Sequence, residues 1–309
     1  VFGLPRYMAE RVHILAALQG ERGGTVDFIN FCQSHGILIS EHPPFGQWKR
    51  YPTEDHPHSR NGAVKYMGDH GFVQNHATST VVSIWKPDSR ASDLPTARDL
   101  AIKQKQAEAD TKKKQAEAVR RAVEMLNESV TQSHPYLVKK GFPEEQGHIN
   151  FQGGQPILLI PMRVGGSLVG VQQIDALGTK RFLYGQRTAG AAFTFDNKGV
   201  NIVCEGYATA LSVRAALKQM KQRYRLHVCF SAGNMVRVAG GLEQGIVIAD
   251  HDLSGTGQQA AQEIGWPTWI SDVAGEDAND YHQRKGLFAL SQSLTQLMLD
   301  IGASRQCEV

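Results

Sequence analysis

The chain has 309 residues, 41% of them apolar, with 33 basic and 30 acidic side chains and a net charge of +3. That length allows two or three domains of ordinary globular composition, and so even a charge balance means that any nucleic-acid surface must be local. The four cysteines include no Cys-x-x-Cys pair, which excludes a disulfide framework and a zinc ribbon and suits a reducing cytoplasm; no apolar run reaches the length of a membrane span.

Residues 1–97 read as a first unit. Ala9 to Leu18 has helical apolar spacing, and Val26 to Gln33 predicts a second short helix. From Gly46 the pattern changes to short strands at 47–51, 63–66 and 80–85, predicting a small, twisted antiparallel β-unit with Trp48 and Trp85 in its core. Six histidines lie between His35 and His76. Without a cysteine pair they read as surface and loop residues rather than zinc ligands.

Residues 98–130 lack Gly and Pro and are rich in Ala, Lys, Gln and Glu, predicting one long charged connecting helix. An apolar stripe at Val119, Ala122, Val123, Leu126 and Val130 predicts that its second half docks while its first half is solvated. Lys112 to Lys114, Arg120 and Arg121 read as solvated charge.

A further unit spans 131–198, with strands at 155–161, 167–174 and 180–184 joined by Gly-containing turns. From Gly199 the rhythm is strand and helix in alternation. Strands are expected at 200–204, 226–230, 246–249 and 268–270, and helices at 207–220, 235–242 and 256–264. Such alternation predicts a parallel sheet covered by helices.

Ile246-Val-Ile-Ala249 runs directly into Asp250-His-Asp252. A continuous apolar run is a buried parallel strand, and its carboxyl end is where open α/β sheets hold ligands. Two carboxylates about 4 Å apart repel by roughly 4 kcal/mol at an effective dielectric of about 20, which a divalent cation offsets. Glu205 ends the first strand of the alternating segment, and an acidic loop at 275–281 follows the last. Parallel strands bring these carboxylates to one edge, and hard oxygen ligands favour Mg²⁺ or Mn²⁺. Gly206 is expected to let the chain turn sharply where a phosphate approaches. The competing assignment is helix capping, by Asp250 or Asp252 near Thr256 and by Glu205 near Tyr207. The convergence of Glu205 and Asp277 favours metal binding.

Glu205-Gly206 after a first strand, Asp250-x-Asp252 after a third and the acidic loop together resemble the Toprim domain, over about residues 199–290. Bacterial-type primases, type IA and II topoisomerases and several nucleases share that domain. Ile157 to Met162, Leu168 to Val171 and Lys180 to Tyr184 resemble the smaller subdomain that precedes it in bacterial-type primases. With Glu205-Gly-Tyr-Ala-Thr-Ala210 and Ala232-Gly-Asn234, the resemblance is to primases of phages and conjugative plasmids.

The implied fold is α/β: a Toprim-like (Rossmann-like) parallel sheet with a C-terminal helix at 199–309, preceded by a small mixed α+β subdomain and an N-terminal α+β unit. The implied activity is nucleotidyl transfer, making short RNA primers on single-stranded DNA from ribonucleoside triphosphates in the host cytoplasm, with a replicative helicase fused or recruited. Glu205, Asp250 and Asp252 would be catalytic. Together with Asp277 and Asp280 they would hold the metal, and Lys180, Arg181, Arg163, Lys139 and Lys140 would bind nucleotide or nucleic acid. The chain departs from the family at Asn279, where a second paired aspartate is usual, and at Thr209, a position often acidic. It also has no zinc ribbon, the Trp48/Tyr66/Trp85 β-unit standing in that place. A metal-dependent Toprim nuclease and a non-catalytic module that binds single-stranded DNA are the two other readings.

Overall fold

In the computed structural model, which describes residues 27–76, 78, 81–87 and 97–306, the chain divides into two compact units, 1–112 and 113–309. The helix expected at 9–18 lies outside the described residues. Among those residues no helix is long and apolar enough to cross a membrane.

In the first unit, helix α1 (Phe28–Ser34) buries Phe28 and Cys32. It accompanies an antiparallel sheet of β1 (Trp48–Tyr51), β2 (Gly62–Tyr66), β3 (Gly71–Asn75) and β4 (Ser83–Trp85), in that order. The Phe28 ring lies 5.1 Å from that of Tyr66 and 5.2 Å from that of Trp85. Strand β3 was not anticipated, because Gly, Gln and Asn dilute its β signal. Gly71 is there for space: a β-carbon on it would stand 2.2 Å from the Phe28 ring. Trp85 is core as expected, but Trp48 is 46% exposed and tilts over Phe72.

Helix α2 (Ala97–Asn127) ends before Val130, which begins a strand instead. Its docked face keeps Ala122 and Leu126 of the expected stripe but is otherwise shifted. Ala118, Ala122 and Met125 are buried against Leu159, Val171 and Leu183, whereas Val123 is exposed. Small alanines let a helix backbone approach a sheet closely, so bulk alone misplaces the face.

In the second unit, β5 (Val130–Gln132), β6 (Gly147–Gln152), β7 (Gln155–Val164), β8 (Ser167–Ile174) and β9 (Lys180–Phe182) form an antiparallel sheet in sequential order, with the short helix α3 (Pro135–Lys139) between β5 and β6. The register shifts between Met162 and Arg163. A second sheet follows, built from β10 (Phe193–Asp196), β11 (Val200–Cys204), β12 (Tyr224–Val228), β13 (Gly245–Ala249) and β14 (Thr268–Ile270). Its order is β10-β12-β11-β13-β14; β10 is an antiparallel edge and the other four strands are parallel.

Connecting helices are α4 (Tyr207–Gln219), α5 (Ala232–Ala239), α6 (Thr256–Ile264), α7 (Ala278–Lys285) and α8 (Leu287–Gln306). Strand alternation divides the burial. Ile202, Leu226, Ile246 and Ile248 pack with Leu211 and Leu217 of α4 and Leu290 and Leu294 of α8. Val203, Val247 and Ala249 pack with Met235 of α5 and with Ala260 and Ala261 of α6 on the other face. All five residues of β13 are buried. From β11 the chain goes outward to β12 and then returns to β13 on the opposite side. The carboxyl ends of β11 and β13 therefore flank a topological switch point.

Candidate functional site

Glu205 and Asp250 directly follow the adjacent parallel strands β11 and β13, whose pairing runs to Cys204 and Ile248. Asp250 is pushed up to about 7 by burial first, then by the charges of Asp277, Glu205 and Asp252, with Lys180 opposing. Its Oδ1 is buried without a hydrogen-bond partner. Burial also raises Glu205, against Lys180, while Asp252 raises it further and the Ala232 amide of α5 donates to it. Glu205 thus does not cap α4, whose N-cap is Gly206. Gly206 has φ −100°, so the turn does not require glycine's left-handed freedom. Phe230, by contrast, sits at φ 69° and donates its amide to the Glu205 carbonyl at 2.9 Å. A non-glycine residue held there is locally strained.

Asp252 realises the capping assignment. Its Oδ1 accepts from Ser254 Oγ at 2.7 Å and from the Thr256 amide at 3.0 Å, and its Oδ2 accepts from the Gly257 amide at 3.2 Å. Burial alone would raise its pKa, but these bonds outweigh it and hold the carboxyl below its ordinary value. Asp277 is the N-cap of α7, its Oδ1 accepting the amides of Asn279 and Asp280. The expected acidic loop therefore ends at Asp277, and Asp280 lies inside the helix. Asp280 closes the capping box and lies 3.5 Å from Lys140 Nζ. Its charge bears on Tyr136, whereas Asp250 feels Asp277, Glu205 and Asp252.

The basic residues separate. Lys180 bears on both Glu205 and Asp250. Lys139, Lys140 and Lys180 line a cavity of about 260 Å³ together with Tyr136, Thr209 and Asp277. Arg181, paired with Gln173, is exposed, and strand alternation turns it to the other face of β9 from Lys180. Arg163 is exposed and donates to the Gly166 carbonyl at 3.0 Å in the β7–β8 hairpin.

The family model for the Toprim domain matches residues 200–287. Residues 200–287 form a Toprim domain. The chain is 27% identical to the DNA primase TraC of Escherichia coli over 251 residues, covering 73% of this chain and 23% of that protein. It therefore spans about a quarter of that relative's length. One solved chain is similar over 52% of this chain and 83% of its own, with 16% identity and a TM-score of 0.37. It belongs to a structure of bacteriophage T7 lagging-strand DNA polymerase interacting with primase domains of two gp4 subunits bound to an RNA/DNA hybrid and dTTP. The resemblance drawn from Glu205-Gly206, Asp250-x-Asp252 and the preceding hairpins is borne out in the Toprim domain and in the likeness to a DNA primase.

In the Toprim domain the carboxylates fit a hydrated cation better than an enclosed one. Among the described residues no three His, Cys, Asp or Glu side chains are drawn together tightly enough to hold a metal ion. Mg²⁺ typically keeps several waters and takes one or two carboxylates plus substrate phosphates. The unpartnered Oδ1 of Asp250, on a carboxyl raised by burial and then by three acids, suits that role. Asn279 does not replace a metal ligand. Fully buried, it donates to the Lys140 carbonyl and Ser212 Oγ and accepts from Gln283. Tyr136 and Thr209 were not anticipated as site residues; for Thr209 the departure from an acidic position was the available signal.

Proposed function

We propose that the chain is the primer-synthesising part of a DNA primase, joining ribonucleotides on a single-stranded DNA template. The observation that carries this is the buried, unpartnered Oδ1 of the Asp250 carboxylate at the end of β13, beside Glu205 at the end of the neighbouring strand β11, in the segment that the Toprim model matches. The match to a DNA primase beyond that domain's limits supports it.

Asp250, with Asp277 beside it, would hold Mg²⁺ or Mn²⁺. Such an ion, when bound, neutralises phosphate charge and acidifies an attacking hydroxyl. Asp252 keeps the loop after β13 in place through its bonds to the start of α6. Glu205, at the end of β11 beside Asp250 and raised by burial, is the candidate to take the proton of an attacking 3′-hydroxyl. Lys180 lies beside both carboxylates and would counter phosphate charge as it develops. Lys139 and Lys140 extend this positive lining along the cavity. Arg163 and Arg181 are left for the template strand, where exposed cations bind backbone phosphates. A helicase, fused or recruited, would supply the single strand in the cell.

The test is synthesis of short labelled RNA on single-stranded DNA with Mg²⁺ or Mn²⁺. Wild type should make primers, and Asp250→Ala should make none while still folding. Normal product from Asp250→Ala removes the assignment. Degradation of the template without nucleotides would indicate a nuclease.

A further inference from the structure

We propose that the cavity beside Gly206 is an anion subsite that takes the phosphate chain of a nucleoside triphosphate, with the Thr209 hydroxyl and the N-terminus of α4 as fixed donors. This deepens the nucleotidyl-transfer function proposed above and rests on it. Thr209 is fully buried and lines the cavity, and its Oγ1 has no hydrogen-bond partner. A buried hydroxyl left unpaired is costly, so an acceptor is expected to meet it. The 13-residue helix α4 begins there with Gly206 as N-cap, which has no side chain to fill the cap; of the first-turn amides, that of Ala208 is met by the Tyr136 phenol oxygen.

The space itself has the right border. A β-carbon on Gly206 would stand 3.3 Å from Thr209 Oγ1 and 3.9 Å from Lys180 Nζ. The room left by glycine is thus bounded by a hydroxyl and an ammonium. Tyr136 adds a donor. Its phenol oxygen takes the Ala208 amide, and burial followed by the charge of Asp277 pushes the phenol up to about 12, so its own proton stays in place. Lys139, Lys140 and Lys180 line the cavity against one carboxylate, Asp277, whose Oδ1 is turned to the amides of α7. Asp280 pairs with Lys140 from α7. At about 260 Å³ the cavity is smaller than sites that enclose whole drug-sized ligands. A phosphate chain fits there with its nucleoside outside. An acid at position 209 would make this end of the site attract cations; threonine makes it attract anions.

The experiment is calorimetric titration of inorganic tripolyphosphate, in EDTA, into wild type, Thr209→Val and Gly206→Ala. Valine keeps the shape of threonine, and the φ of Gly206 suits alanine. Thr209→Val should weaken tripolyphosphate binding about tenfold, the loss expected for one hydrogen bond to a charged group. Gly206→Ala should weaken it by a similar factor, because its β-carbon takes the space beside the Thr209 hydroxyl. Unchanged affinity in both variants overturns the proposal. A second titrant, a single-stranded oligodeoxynucleotide with a 5′-hydroxyl, should bind all three proteins equally. Loss of the oligonucleotide with tripolyphosphate binding retained assigns the cavity to the strand and also overturns it. Should Thr209→Val not fold, the exposed Lys139→Gln carries the same test. Primer synthesis by wild type is scored separately. Primers made without a tripolyphosphate effect would remove the subsite alone. A tripolyphosphate effect without primers would remove the primase assignment alone.

Discussion

The Asn279 side-chain amide donates to Ser212 Oγ at 3.0 Å, tying the first turn of α7 to the middle of α4. The same amide reaches the Lys140 carbonyl at 2.9 Å, so one buried group joins α4, α7 and the residue that follows α3. Asn279→Asp, which restores the acid usual in the family, should therefore destabilise the fold. It removes two donors and buries a charge beside Asp277, a loss of about 3 kcal/mol. Urea denaturation measures it. A loss below about 1 kcal/mol, together with tighter Mg²⁺ binding, would show that the position is a ligand site after all.

Asp250 predicts a pH dependence. Its carboxyl rises from an ordinary value of 3.8 to about 7 on folding. The folded protein then holds the proton more tightly than the unfolded chain, so this contribution is complete below about pH 4. It declines as pH rises through the folded value and is flat above it. Three pKa units correspond to about 4 kcal/mol as an upper bound. In EDTA, Asp250→Asn should match wild type near pH 4 and exceed it progressively up to pH 7. A difference that does not change with pH would contradict the buried, repelled carboxyl.

Metal should reverse that penalty. At a hundredfold excess over its dissociation constant, a cation that binds only the folded state adds about 2.7 kcal/mol. Wild-type Tm should rise with millimolar Mg²⁺ or Mn²⁺, and Asp250→Asn should show little of the rise. Scanning calorimetry at fixed protein concentration decides it; equal shifts in both proteins would place the cation elsewhere.

Asp252 separates two roles. Its three hydrogen bonds to the loop and first turn of α6 predict a cost of about 1–2 kcal/mol for Asp252→Ala. Asp252→Asn keeps the acceptor for Ser254 and Thr256 but turns an amide NH2 toward the Gly257 N–H, so it should recover about half of that loss. If Asn restores that much stability but not primer synthesis, the charge matters beyond capping. Restoration of both would leave Asp252 a purely structural residue.

The part of the fold that the Toprim model matches was legible because β11, β13 and β14 are short, largely apolar strands set between clean helical periods. That pattern placed Glu205 and Asp250 on neighbouring strand ends. Strands β3, β5, β6 and β10 were not legible. They are antiparallel, and several of their residues are polar or exposed, so neither alternation nor a continuous apolar run marks them. The docked face of α2 was legible at Ala122 and Leu126 but missed Ala118 and Met125, because the valines Val123 and Val130 drew the expected stripe round to the exposed side. Within the site, sequence spacing listed the acids but not how their oxygens are used. Asp252, Asp277 and Asp280 all serve helix starts, which depends on where α6 and α7 begin to within one residue. Arg163 and Arg181 were grouped with Lys180 through the family resemblance, and strand alternation and a hairpin bond part them.

The amide hydrogens of Thr256, Gly257, Asn279 and Asp280 all rest on oxygens of Asp252 or Asp277. A cation drawing on those oxygens makes them poorer acceptors, so these four amides should exchange with solvent faster as the edge is loaded. Helix fraying at two opening turns would then serve as an internal gauge of occupancy, readable without substrate, template or turnover.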